Sequence, residues 1–192
     1  MKNRLDPMRR LLAYGGQLCL ALAALAALIA PARAQAKNWT AIGSTGVVNV
    51  DDLDEVIFFG EIATLTGTPA GSISVIRYNV VAVDGLFTPL TPTSWPALTV
   101  RYNDDGPGER LVARLKEVDS KTGAIVTRIT FDSDLYPPQA GFQTRSIGNC
   151  GVFSEFDFDT KGYFIEVELI NISGVNRPAI SFLALSRYGV CP

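Results

Sequence analysis

Apolar and polar residues alternate along most of this chain from Asn38 onward, with the period of two that a half-buried strand requires. Between Arg110 and Val118, Leu111, Ala113 and Leu115 fall on one side while Arg114 and Lys116 fall on the other. The turn Asp119-Ser120-Lys121-Thr122-Gly123 follows, and then Ile125, Ile129 and Phe131 are expected inward with Arg128 outward. Val56 to Leu65, Ser72 to Val83, Ala97 to Asn103, Phe142 to Ile147 and Ala179 to Tyr188 read as further strands. Asp84-Gly85, Asp104-Asp105-Gly106-Pro107-Gly108 and Tyr136-Pro137-Pro138 punctuate them. No stretch after Asn38 carries a 3.6-residue period. The pattern predicts an all-β, antiparallel sandwich of nine or ten strands, jelly-roll or immunoglobulin-like.

The stretch Phe153 to Asn171, FSEFDFDTKGYFIEVELIN, predicts an acidic hairpin. Phe156 and Phe158 alternate with Glu155 and Asp157, and after the turn Asp159-Thr160-Lys161-Gly162, Tyr163, Ile165, Val167 and Leu169 alternate with Phe164, Glu166 and Glu168. This register opposes Phe156 to Ile165 on the buried face and Glu155 to Glu166 on the outer one. Like charges directly opposed are unfavourable, so a cation, an arginine or water must offset them.

The N-terminus stands apart from this pattern. MKNRLDPMRR is basic, Leu11 to Ala30 is apolar, and Ala32-Arg33-Ala34 completes the three parts of a secretory signal peptide. Cleavage is expected after Ala34, with Ala36 as the alternative. Residues 35–192 then form one domain, of the usual domain size. Loss of residues 1–34 removes five of 17 basic and one of 19 acidic residues, leaving 12 and 18 and a net charge of −6. An acidic surface argues against nucleic acid, and no second apolar run is long enough to span a membrane. The expected location is secreted or periplasmic.

Two cysteines, Cys150 and Cys191, remain after Cys19 leaves with the signal peptide. An even count in an oxidising compartment implies one structural disulfide, worth roughly 4 kcal/mol for a loop of this size on the loop-entropy model.

The chain has no histidine, which excludes Ser-His and Cys-His catalysis and imidazole-built zinc sites. Carboxylates are what remain. Glu155, Asp157, Glu166 and Glu168 on one sheet face are the candidate ligand or ion face, with Ca²⁺ as the one cation such oxygens suggest. The simpler reading is a solvated face with Arg114, Lys116 and Arg128 as cross-strand partners. Trp95, between Ser94 and Pro96 in a proline-punctuated loop, is a candidate for stacking on a sugar ring. Asn38-Trp39-Thr40 and Asn171-Ile172-Ser173 match the glycosylation pattern and are read as chance matches.

Glu155-Phe156-Asp157-Phe158-Asp159 resembles the Glu-x-Asp-x-Glu strand of laminarinase-like jelly-roll glycosidases, with Asp in the last position. The resemblance implies Glu155 as nucleophile, Asp157 as its helper and Asp159 as acid/base. The reading favoured by the chain as a whole is a binding or structural module without catalysis, directed at an extracellular glycan or a protein surface. A glycoside hydrolase using the acidic hairpin, and a subunit of a surface assembly, are the alternatives.

Overall fold

The structure is a computed structural model that describes residues 38–67, 69–83, 86, 96–148 and 155–186. Eleven strands lie among them: β1 Trp39–Ile42, β2 Val47–Val48, β3 Val56–Phe59, β4 Ile62–Leu65, β5 Ser72–Val80, β6 Ala97–Asp104, β7 Glu109–Asp119, β8 Ile125–Asp132, β9 Gln139–Gly148, β10 Lys161–Asn171 and β11 Ala179–Ser186. One sheet has the order β3-β4-β11-β6-β9, with β1 also paired to β11, and the other has the order β2-β5-β10-β7-β8. All pairings are antiparallel. No helix among the described residues is long and apolar enough to cross a membrane.

The pairing partners settle which sandwich this is. β4 pairs with β11, β5 with β10, β6 with β9 and β7 with β8. The chain is therefore a long antiparallel double strand, closed at the β7–β8 turn and wrapped so that successive pairs lie in opposite sheets. That is a jelly roll, one of the two sandwiches the alternation predicted. Because neighbouring strands run in opposite directions, the β4–β5, β6–β7, β8–β9 and β10–β11 connections all gather at one end.

The core is filled from both inner faces. β10 contributes Tyr163, Ile165, Val167 and Leu169, β7 Leu111, Ala113 and Leu115, and β5 Ile76 and Tyr78; Leu98, Val100, Tyr102, Leu183 and Leu185 face them from the other sheet. The sequence alternation places those of β10 and β7 correctly.

Three expectations are corrected. Val56 to Leu65 is two strands, because Gly60 adopts φ 57° and turns the chain where a side chain would be strained. Arg128 turns toward the buried Glu117 and Ile125 is exposed, because β8 carries Arg128 as an extra residue where its pairing with β7 shifts between Leu115 and Lys116. A one-residue slip exchanges the two faces of a strand. The third correction is the acidic hairpin. β10 exists, but Phe156 and Phe158 are not in a strand: residues 155–157 are irregular and 158–160 form a turn. Both edges of β10 are already paired, over nine residues with β5 and eleven with β7, so no edge is left for a hairpin partner.

Cys150 and Cys191 lie outside the described residues. Gly148 and Ser186, the last described residues before them, both flank Ala97 on adjacent strands, so a bridge between the two cysteines remains a proposal that the sheet accommodates. It is expected that the purified, exported protein takes up a thiol reagent only after reduction, as intact mass will register. Replacing Ile165, fully buried at the centre of β10, with Ala is expected to cost ~2–5 kcal/mol in urea unfolding.

Candidate functional site

Of the four carboxylates singled out in the sequence, Glu166 and Glu168 share the outer face of β10, and Glu155 and Asp157 lie off the sheet. Glu166 sits on the outer face of β10, directly between Arg77 of β5 and Arg114 of β7. Arg77 Nε donates to its Oε2 at 3.2 Å and Lys116 Nζ to its Oε1. Glu168 accepts from Arg114. Glu155 is exposed at the start of the irregular stretch. Asp157 closes the following turn, its Oδ1 accepting from the amides of Asp159 and Thr160 at 3.1 and 3.2 Å. Among the described residues no group of three or more acids converges on a point where a metal ion could sit. Trp95 lies outside the described residues.

Phe156 and Phe158 are drawn to Tyr163, each with ring centroids 5.0 Å from it, and the Asp157 amide donates to the Tyr163 hydroxyl at 2.9 Å. An aromatic wrap around one tyrosine thus imitates a strand's alternation. Without a strand through Glu155–Asp159, the geometry implied by the glycosidase resemblance is not present. Arg128 pairs instead with the buried Glu117, through Nε at 2.9 Å and Nη2 at 2.8 Å. Asn171 is buried and its Oδ1 accepts from the Gly174 amide, so this glycosylation match is a closed site.

A site that the sequence did not reveal lies at the end where the four connections gather. A cleft of about 330 Å³ is lined by Asp104, Gly106, Pro107, Ser133, Asp134, Tyr136 and Pro138. The β6–β7 turn makes one wall and the 3-10 turn Ser133–Leu135, with Tyr136 and Pro138, makes the other. Arg110 ties the second wall to β7 by a forked pair with Asp132 and a contact with Asp134 at 3.4 Å. The first wall is tied to the β10–β11 connection, since the amides of Ile172 and Ser173 both donate to Gly108 O. A Cβ on Gly108 would meet the Ser173 side chain at 2.3 Å, so only glycine allows that approach.

Tyr136 is positioned from the core. Its ring stacks on Phe131 at 5.4 Å, Phe131 meets Tyr102 edge-on at 5.1 Å, and the Arg145 guanidinium lies over Tyr136 at 5.6 Å. Asp104 is 5% exposed. Burial pushes its carboxyl above the usual range, against hydrogen bonds from Ser133 and the Gly106 amide, and the nearby Asp134 and Glu109 push the same way. The arrangement offers acceptors beside an aromatic wall. It was hidden because its residues come from two turns that read as punctuation. The available signal was topological: both turns follow strands that run the same way, so both return to the same end.

No family model and no curated protein matches the sequence. Solved structures of similar shape include a family 11 carbohydrate-binding module from Clostridium thermocellum in complex with a β-1,3-1,4-mixed-linked tetrasaccharide, at 11% identity and a TM-score of 0.38, covering 81% of this chain and 90% of that one. A xylan-binding domain of carbohydrate-binding module 22 shares 11% identity with a TM-score of 0.36, covering 84% and 93%. The enzymatically active domain of bacteriophage CBA120 tailspike protein 4 shares 13% identity with a TM-score of 0.39, the match covering 78% of this chain and 18% of that one. Likeness at this level says nothing about which residues bind.

The Glu166 pairs give a test of the outer face. Burial alone would raise the Glu166 carboxyl, but Lys116 and Arg77 outweigh it and hold the group below its ordinary 4.5. A lowered folded-state pKa stabilises the fold above the ordinary value and is lost as pH falls through the lowered one. The gap in urea midpoint between wild type and Glu166→Gln is therefore expected to be largest near neutrality and to shrink in acid. A gap independent of pH would mean that the charge contributes nothing.

Proposed function

We propose that this chain is an exported, non-catalytic β-sandwich module that binds an extracellular glycan in the cleft beside Tyr136. Export rests on the signal-peptide pattern of residues 1–34. The observation that carries the ligand reading is the composition of the cleft: an aromatic residue held rigid by Phe131 and Arg145, facing carboxylate acceptors on Asp104 and Asp134. A sugar has hydroxyl donors around its rim and apolar C–H faces, and it matches both halves of such a surface. The likeness to carbohydrate-binding modules adds nothing to this; the cleft is preferred to the outer face of β10 because Glu166 and Glu168 are both held by cations there, whereas Asp104 has no ion-pair partner among the described residues.

Hydrolysis is a second reading, favoured by one observation. Burial moves Asp104 toward its protonated form beside a second carboxyl, Asp134, and glycoside hydrolysis uses such a pair.

Calorimetric titration with soluble oligosaccharides, with released sugar measured in the same samples, tests both readings. Saturable binding without release is expected, weakened about tenfold or more by Tyr136→Ala and unchanged by Glu155→Gln. Release abolished by Asp104→Asn would establish the hydrolase instead, and no binding of any glycan would end both readings.

A further inference from the structure

The buried polar atoms beneath the cleft extend it. Along the inner face of the β6–β9 ladder, inward from Asp104, the next rung pairs Tyr102 with Gln143 and the one after pairs Val100 with Arg145. Tyr102 is completely buried and Gln143 is 6% exposed. The Tyr102 hydroxyl, Gln143 Oε1 and Arg145 Nε are all buried and none makes a well-formed hydrogen bond within the described protein; the Arg145 side chain approaches the Tyr102 hydroxyl without that geometry, and Gln143 Oε1 has no partner at all. An unmet buried polar atom costs more than a hydrogen bond returns, and native folds keep few of them. Of five such atoms among the described residues, the other two being Asn103 Oδ1 and Glu109 Oε2, these three share neighbouring inner-face positions of one ladder. They lie under the ring that walls the cleft, since Arg145 packs over Tyr136 and Tyr102 reaches Tyr136 through Phe131.

We propose that the Tyr136 cleft is the outer half of a ligand site whose inner half is Tyr102, Gln143 and Arg145, and that it takes the terminal residue of an uncharged glycan. This rests on the glycan reading above and narrows it in two respects. The first is size and placement. The cleft opens at the loop end of the sandwich, not across a sheet face, and its volume of about 330 Å³ is at the small end of ligand sites, ~300–1,000 Å³. It suits one or two sugar rings entering end-on. A polymer passing through would need a groove open on both sides. The second is charge. Asp104 and Asp134 are both at the mouth, so a uronic or sulfated sugar brings its anion against carboxylates, whereas hydroxyls donate to them. Farther in, the hydroxyl of Tyr102, the carbonyl of Gln143 and the Nε–H of Arg145 supply both donors and acceptors to the one ring that reaches them.

The test is a set of ¹⁵N-labelled proteins, wild type, Tyr136→Ala and Gln143→Leu, titrated with neutral di- to tetrasaccharides, the same compounds with either end chemically blocked, and uronic-acid oligosaccharides. Wild type is expected to bind a short neutral oligosaccharide, with amide shifts at residues 102–106, 133–138 and 143–145, and to lose binding when one particular end is blocked. Gln143→Leu is expected to weaken binding about three- to tenfold, the worth of one buried hydrogen bond, while its thermal midpoint stays level or rises because an unmet polar atom is gone. Unchanged affinity in Gln143→Leu would overturn the inner half of the site. Binding that tolerates blocking of both ends, or that needs long polymers, would overturn end recognition while leaving the glycan reading intact. Preference for uronic oligosaccharides would overturn the charge argument in the same way, and binding to no sugar at all would remove the glycan reading itself.

Discussion

The backbone ladder that joins β10 to β5 on one side and to β7 on the other runs over nine and eleven residues. A strand held on both edges has only its two faces left to distinguish it. Its inward residues Tyr163, Ile165, Val167 and Leu169 become the middle of the core. Its outward Glu166 and Glu168 must meet whatever β5 and β7 present, and the register presents Arg77, Arg114 and Lys116. The same ladder forces residues 155–160 off the sheet and around Tyr163. The fold of the acidic stretch is thus decided by its neighbours and not by its own alternation.

The wrapping of the double strand also decides where a ligand can be held. On the β2-β5-β10-β7-β8 sheet the inner face is packed and the outer face carries matched ion pairs, which leaves the end of that sheet as the place for exposed chemistry. At the described end, connections from four strand pairs meet. They are tied across by Gly71 to Asn171, by Gly108 to Ile172 and Ser173, and by Gly141 to Asp105. Tyr136 reaches back to the core through Phe131 and Tyr102, which anchors that wall of the cleft.

The alternation of Leu111, Ala113 and Leu115, and of Ile165, Val167 and Leu169, was enough to place the core strands and the sandwich class, because burying one face of a strand leaves a period of two in any single strand. Three kinds of feature were not legible. The Gly60 turn was lost inside an apolar run, where a strand and a tight hairpin have the same composition. The slip beside Lys116 depends on how β8 meets β7, and it alone sends Arg128 to Glu117. The cleft depends on two turns far apart in sequence, so neither Asp104 nor Tyr136 carries a local sign of it. Phe156 and Phe158 misled for the opposite reason: their spacing satisfies a strand, but their partner is a single ring seven and five residues away.

Register separates the outward carboxylates of β8 and β10 from Asp104. Those on outward strand positions, Glu166, Glu168 and Asp132, each have an arginine or lysine on the adjacent strand. Such a carboxylate has little left to offer a ligand, because moving its partner leaves a cation unpaired. Asp104 stands at the end of β6, past the rows where cross-strand cations can reach it, and its hydrogen bonds come from a hydroxyl and an amide. Neutral donors do not compensate its burial, which is why its carboxyl is pushed up. A carboxyl has about four lone-pair sites, and two donors leave room for more. A hydroxyl entering the cleft can therefore bond to Asp104 without breaking an ion pair, an option that the face of β10 does not offer.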